Sequence, residues 1–398
     1  MAPLFEAGDS WAERAGFWLF LSHLAVIFAI AISEVLLGLT VLSLPWTRRR
    51  GVTWSVLAPL AIPVGIYLLL LVGSIVASPD PSVSTRGMTD FFTFTTLLMA
   101  PFLVRGERQV RLVVDSLIVL AALLATEGLA QFLFGYGDID RRIRGPFSHY
   151  MTFSGFLLVC DLLLLAAMIY TRRWRSPWRW VALGVINAAL LGSYTRNAWV
   201  ALALSLTLMI AVRVPRLLAA YVPAMVLFIA LAPVPILHRV LSIVDLRDSS
   251  NYDRLCMVEA GLNMVRQRPL FGVGPDLVKR FYPIYRAPSA PRYDVPHLHN
   301  SILQIAAERG LPSLAAYLAM TLVGAVAAWR WYVREGGRRG PRADLYMGVL
   351  LSLLAFNLAG LFENNWGDTE VQRPILFVLA IPFCLHGAKR EAQPPAGQ

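Results

Sequence analysis

The segment Pro296-His297-Leu298-His299-Asn300-Ser301 places two imidazoles one residue apart, at the end of a long polar stretch and just before a helix start. Three uses compete for such a pair. The plainest is two loop histidines making local hydrogen bonds. The second is a metal site, although His-x-His supplies only two ligands and no carboxylate or cysteine follows at a recognised spacing. The third is general-base catalysis, for which an imidazole neutral near pH 7 is suited. Ser301-Ile302-Leu303-Gln304 reads as a capping box opening a helix over 302–309, which Gly310-Leu311-Pro312 then breaks. His299 would sit just before that N-terminus, where the helix dipole favours the neutral ring.

The elements that must hold this segment are membrane helices. Of 398 residues, 57% are hydrophobic and 15% charged; a soluble domain has about half and about a quarter. Apolar runs of roughly 20 residues, each long enough to span a bilayer, recur along the chain. The expected fold is all-α: a polytopic membrane protein with about 11 or 12 transmembrane helices. Residues 1–236 and 312–398 supply the spans, and 237–311 form one large external loop containing short helices. The first apolar run, 17–44, is either one long tilted helix or a hairpin, and is too long for the apolar part of a cleaved signal. Within the large loop, Ser249-Ser250-Asn251 offers caps for a helix over 252–268 that Pro269 ends. Arg254, Gly261 and Arg268, seven apart, share a helix face that could look into a cavity.

Net charge is +11, and only Lys279 and Lys389 among the 36 basic residues are lysines. Clusters such as Arg48-Arg49-Arg50, Arg105/Arg108/Arg111, Arg172-Arg173-Trp174-Arg175, Arg330/Arg334/Arg338/Arg339 and Lys389-Arg390 fall at every second connector, as cytoplasmic loops should. The intervening connectors carry arginines against that bias: Arg141-Arg142-Ile143-Arg144, Arg196 in a very short turn, and Arg247, Arg254 and Arg268 in the large loop. An arginine near the hydrocarbon boundary is costly and marks a candidate site. Guanidinium groups also bind phosphate in a bidentate fork, so a pyrophosphate or phospholipid head group is the ligand they suggest. The alternative is that they snorkel to lipid phosphates or pair with Asp138, Asp140, Asp245, Asp248 or Asp253. No soluble domain carries a basic groove, so no nucleic-acid partner is expected. Cys160, Cys256 and Cys384 lie far apart and suggest neither a disulfide framework nor a thiolate metal site. Asp138-Ile139-Asp140 is the other metal-like pattern, and a weak one.

Arg268-Pro269-Leu270-Phe271-Gly272-Val273-Gly274-Pro275, followed by Pro296–Gln304 and Gly310-Leu311-Pro312, resembles the O-antigen ligase/polymerase family. Arg144-Gly145-Pro146-Phe147 and Thr195-Arg196-Asn197-Ala198 look like its upstream motifs, although Asn197 stands where the family often has a small residue. The family comprises bacterial inner-membrane glycosyltransferases of the GT-C type. The resemblance implies transfer of a glycan from an undecaprenyl pyrophosphate-linked donor, without a metal or other cofactor, at the periplasmic face. It implies His299 as catalytic base, with Arg196, Arg254 and Arg144 holding the pyrophosphate. Arg268, His297 and Asn300 are the remaining candidate substrate-binding residues. In the ligase branch, which is favoured, the acceptor is the lipid A core. A polymerase using a second lipid-linked repeat, and a lipid-glycan transporter without catalysis, are the alternatives. Membrane lipids are the other expected contacts, and the chain is expected to act as a monomer.

Overall fold

The computed structural model of the protein describes residues 3–6, 8–47, 54–135, 142–243, 245 and 248–386. Arg48, Arg49, Arg50, Asp138, Asp140, Arg141, Arg247, Lys389 and Arg390 therefore lie outside the described residues. The elements in chain order are α1 (Trp11–Ala25), α2 (Ile30–Ser43), α3 (Trp54–Val76), a single turn α4 (Pro81–Ser84), α5 (Thr89–Leu103), α6 (Gly106–Leu133), α7 (Tyr150–Tyr170) and α8 (Pro177–Gly192). There follow α9 (Arg196–Arg213), α10 (Leu218–Ala230), α11 (Val234–Leu241), α12 (Ser249–Gln267), α13 (Val278–Tyr285), α14 (Ser301–Arg334), α15 (Ala343–Gly360) and α16 (Thr369–His386).

Six described helices are long and apolar enough to cross a bilayer: α3, α6, α7, α9, α14 and α15. The α10–α11 pair, bent by 113°, would make a seventh. The protein is thus an all-α, multi-pass membrane protein. Helix length supports fewer spans than the about 11 or 12 apolar runs, because several runs fold as shorter helices. The 17–44 run is a hairpin, α1 and α2, broken between Ala25 and Ile30. α16 opens on the polar residues Glu370, Gln372 and Arg373.

α7 is the central strut. It packs against α6, α8, α9, α15 and α16, and nearly every side chain from Met151 to Met168 is buried. A helix apolar on all faces belongs inside a bundle, and this one is. The basic connectors meet at one end. Arg111 pairs with Asp344, Arg173 and Arg179 with Asp115, and Arg213 donates to the Arg338 carbonyl. The alternation of connectors read from charge thus places these loops together.

The large loop carries a second, smaller core, in which Met257, Ala260 and Met264 of α12 pack with Val273, Val278, Tyr282, Leu298 and Leu303. Gly261 is part of this packing. A Cβ there would strike Leu303 and Leu298, so at Gly261 the face closes on the loop core, while at Arg254 it reaches a cavity. The helix start is also earlier than its cap candidates indicated: Asp248 caps α12, accepting from the amides of Ser250 and Asn251.

Backbone contacts lock the loop to the bundle. Val273 and Gly274 amides donate to the carbonyls of Ala307 and Glu308, and the Leu311 amide donates to Pro269. Ser74 of α3 donates to both Phe271 and Glu308 carbonyls. α14 is kinked at Gly310, whose φ of 85° and ψ of 167° are not helical. A Cβ on Gly310 would meet the Leu270 carbonyl, and one on Gly272 (φ +68°) the Glu308 backbone. Gly272→Ala should cost roughly 2 kcal/mol or more, from the combined left-handed backbone and backbone collision. Thermal unfolding in detergent reads this out as a lowered midpoint. Gly184→Ala on α8, where a Cβ meets nothing within 4 Å, should leave the midpoint unchanged or slightly raised.

Candidate active site

His299 stands one residue before the N-cap of α14 with φ +48°, a left-handed conformation that costs a non-glycine residue on the order of 1–3 kcal/mol unless its surroundings hold it. They do. Leu298 is buried in the loop core, and its amide donates to Gln304 Oε1 at 2.8 Å. Asn300 caps α14 by accepting from the Leu303 amide at 2.9 Å, and its Nδ2 donates to the Leu361 carbonyl at 3.0 Å. The Ser301–Gln304 capping box is therefore displaced by one residue: Asn300 is the cap, and Ser301 and Gln304 bond elsewhere. The Ser301 amide and hydroxyl both donate to the Glu363 carbonyl, at 3.2 and 3.0 Å.

Glu363 completes the site. It lies in the short connector between α15 and α16 and is 3% exposed. His299 Nδ1 donates to its Oε2 and Oε1 at 2.9 and 3.1 Å, and the Asn364 amide donates to Oε1 at 2.9 Å. His297 Nδ1 stands 3.6 Å from Oε1, beyond hydrogen-bond reach. Burial alone would raise the Glu363 carboxyl, but the His299 hydrogen bond and the two imidazole charges pull it down to about 2. Burial takes the His297 imidazole down to about 4, with Glu363 opposing. A neutral His299 in this geometry carries its proton on Nδ1 and leaves the Nε2 lone pair free to accept one. The two histidine rings lie 4.3 Å apart, because burying Leu298 sends its neighbours to the same side. They are a pair in space as well as in sequence.

Phe362, next to Glu363, lines a cavity of about 210 Å³. One wall is cationic, made by Arg196, Arg239 and Arg254; the other is apolar, made by Val200, Leu204 and Leu358. Arg196 opens α9 and is almost fully engaged. Its Nη1 donates to the Ser242 carbonyl and hydroxyl, both at 2.8 Å, and its Nη2 to Ser250, Asn251 and Asp248 at 3.0, 2.9 and 3.3 Å. The pairing with Asp248 is one of the alternatives foreseen for this arginine. Arg254, one turn into α12, is under-used by the protein. Its Nη1 donates to Ser250 at 3.2 Å, and its buried Nε has no hydrogen-bond partner among the described residues. Burial pulls its guanidinium below the usual range, with Glu363 opposing and Arg196 adding to the fall. Arg239 donates from Nε to the Tyr194 carbonyl at 3.3 Å. Such a cavity suits an anionic head group carried on an apolar tail.

Other predicted residues lie elsewhere. Arg144 is exposed and donates to the Ser148 carbonyl at 2.9 Å. Arg268 is the C-cap of α12, roughly 20 Å along the axis from Arg254 at 1.5 Å per residue. It cannot share one pyrophosphate with Arg254. Asp253, foreseen as a partner for the outer arginines, pairs with Arg292 of the same loop at 3.0 Å. Two residues were missed. Arg239 ends an apolar run, and the same argument that singled out the other outer arginines would have found it. Glu363 is separated by 64 positions from His299; the available signal was a carboxylate in a short connector between two apolar runs. His297, His299 and Glu363 together form a group with metal-ligand atoms within 4.8 Å of one another.

Residues 181–318 match the family model described as O-Antigen ligase. The match contains Arg196, Arg239, Arg254, His297 and His299, and ends before Glu363. No curated protein gives a significant match to the chain. The segment that supplies the cavity arginines and carries both histidines is thus similar to the O-antigen ligase family model, which supports the resemblance read from its motifs.

Proposed function

We propose that the protein is an O-antigen ligase, transferring a glycan from undecaprenyl pyrophosphate to the lipid A core oligosaccharide at the periplasmic face of the inner membrane. The observation that carries this reading is the His299–Glu363 pair beside a cavity with three arginines on one wall and apolar side chains on the other. The pyrophosphate lies against Arg254, Arg239 and Arg196, and the prenyl chain follows the apolar wall. The acceptor hydroxyl attacks the anomeric carbon from the face opposite the pyrophosphate. A new glycosidic C–O bond forms, the bond to the pyrophosphate oxygen breaks with its electron pair, and the hydroxyl proton passes to His299 Nε2. Configuration inverts. Arg254 and Arg239 neutralise the charge that grows on the leaving group, which is where fixed donors act most strongly. Glu363 holds the Nδ1–H tautomer and stabilises the imidazolium that forms.

His299→Ala should lower turnover of the purified enzyme by about 10²–10⁴, and near-normal turnover would refute the base assignment. Glu363→Gln can leave the ring in the wrong tautomer and should cost about 10²-fold or more in kcat with donor KM little changed. Arg254→Ala should lower kcat/KM by about 10²–10³. Transfer should persist in EDTA, since no step needs a metal.

The acceptor is tested separately. Purified enzyme given donor together with lipid A core should yield a single coupled product and no chain extension from donor alone. Extension from donor alone would replace the ligase reading with the polymerase one. Movement of donor across a vesicle membrane with no new glycosidic bond would replace both with transport.

A further inference from the structure

The trio His297, His299 and Glu363 has a second chemistry that glycan transfer does not use. Two imidazoles and one carboxylate make a recurrent zinc donor set, with the fourth position open. In a tetrahedral site with metal–ligand bonds of about 2.0–2.1 Å, neighbouring donor atoms are separated by roughly 3.3 Å. His299 Nδ1 and His297 Nδ1 are 3.1 and 3.6 Å from the same Glu363 oxygen, Oε1, on either side of that value. His297 Nδ1 is buried and has no hydrogen-bond partner among the described residues, so a donor atom in the trio is unspent. The ligands come from two separate connectors held together by Ser301 bonding to the Glu363 carbonyl. The arrangement is therefore formed before any ion arrives. Two imidazole donors favour zinc over magnesium or calcium, which prefer all-oxygen shells.

We propose that these three residues capture a zinc ion in competition with the proton on His299 Nδ1, and that zinc inhibits the enzyme by doing so. Binding at Nδ1 takes up the lone pair there, and the proton of the neutral ring moves to Nε2. The ring remains neutral, no proton is released, and Glu363 balances part of the ion's charge. Nε2 is then a donor and cannot accept the acceptor hydroxyl's proton. The capture stands on geometry alone; the inhibition rests on His299 being the base.

The test uses the full chain purified in detergent, titrated with zinc chloride against a competing chromophoric chelator. One zinc should bind per chain, with imidazole scattering in its X-ray absorption spectrum, and millimolar magnesium should not displace it. Removing even an outer-shell partner typically lowers metal affinity by about 10–100-fold, so His297→Ala should weaken zinc by at least roughly tenfold. If that variant does not elute as folded protein, Glu363→Gln serves the same purpose. Absence of binding, or unchanged affinity in a folded variant, overturns the site. In the transfer assay on the unsubstituted enzyme, zinc at full occupancy should abolish turnover and EDTA restore it. Unchanged or increased turnover with zinc bound overturns the inhibition. Failure of the base assignment would appear separately, as normal turnover in His299→Ala without zinc.

Discussion

A buried carboxylate is tolerable only when its oxygens are hydrogen-bonded and its charge is balanced, and the surroundings of Glu363 are arranged to meet that need. Its side chain accepts from His299 and from the Asn364 amide. Its carbonyl accepts from the amide and hydroxyl of Ser301, and the Ser301 hydroxyl in turn receives the Trp366 amide at 3.3 Å. One short connector is thereby fastened to the first residue of α14. Asn300 repeats the connection from the other side, capping α14 while donating to the Leu361 carbonyl. His299, its carboxylate partner and the cavity wall at Phe362 are fixed by the same few bonds.

This fastening is useful only if the large loop is itself immobile relative to the bundle. Two features ensure that. The loop buries its own apolar core, with Leu298 between the two histidines as a member. Its middle segment, at Gly272, is bonded backbone to backbone against the kink at Gly310, at a separation that leaves no room for a side chain on either residue. A site held by packed side chains and main-chain bonds can keep its geometry within the fraction of an ångström that proton transfer requires. The left-handed backbone of His299 is part of the same arrangement: the strain is local, and the constraints that hold it come from the core on one side and the cap on the other.

Much of this was legible in the sequence, and the exceptions have physical causes. The hydropathy runs exposed the membrane bundle because backbone polar groups in lipid leave helices as the choice consistent with such runs. The alternation of basic connectors correctly grouped Arg111, Arg173 and Arg338 at one end. Arg196 and Arg254 stood out because arginine at such positions is expensive, and both line the cavity. The capping pattern was misread by one residue because Asn300 and Ser301 are both good N-caps, and Gln304 had a competing partner in the Leu298 amide. Arg268 shares a face with Arg254 but lies at the far end of α12, because spacing by seven describes a helix face and not a position along the axis. Glu363 could be noticed as a carboxylate in a short connector, but its contact with His299 could not, because it spans 64 positions and no local periodicity encodes it.

On the proposed function, His299 takes up a proton beside a cluster of guanidinium groups. Each positive charge near an imidazole disfavours the protonated form that a base must reach in the transition state. Arg254 is close enough to Glu363 for the two charges to influence each other, and Glu363 is in direct contact with His299. The carboxylate therefore stands electrostatically between the cations and the ring. It accepts from the ring at Nδ1, and on the proposed function it would stabilise the imidazolium that forms. Arg196 helps by a different route, because its pairing with Asp248 removes one net charge from the cavity wall. Arg254 and Arg239 are left as cations that no carboxylate among the described residues pairs within salt-bridge distance, and these are the two that an incoming pyrophosphate would neutralise. On that reading the donor's pyrophosphate neutralises the two free cations, and Glu363 remains to pair with the ring.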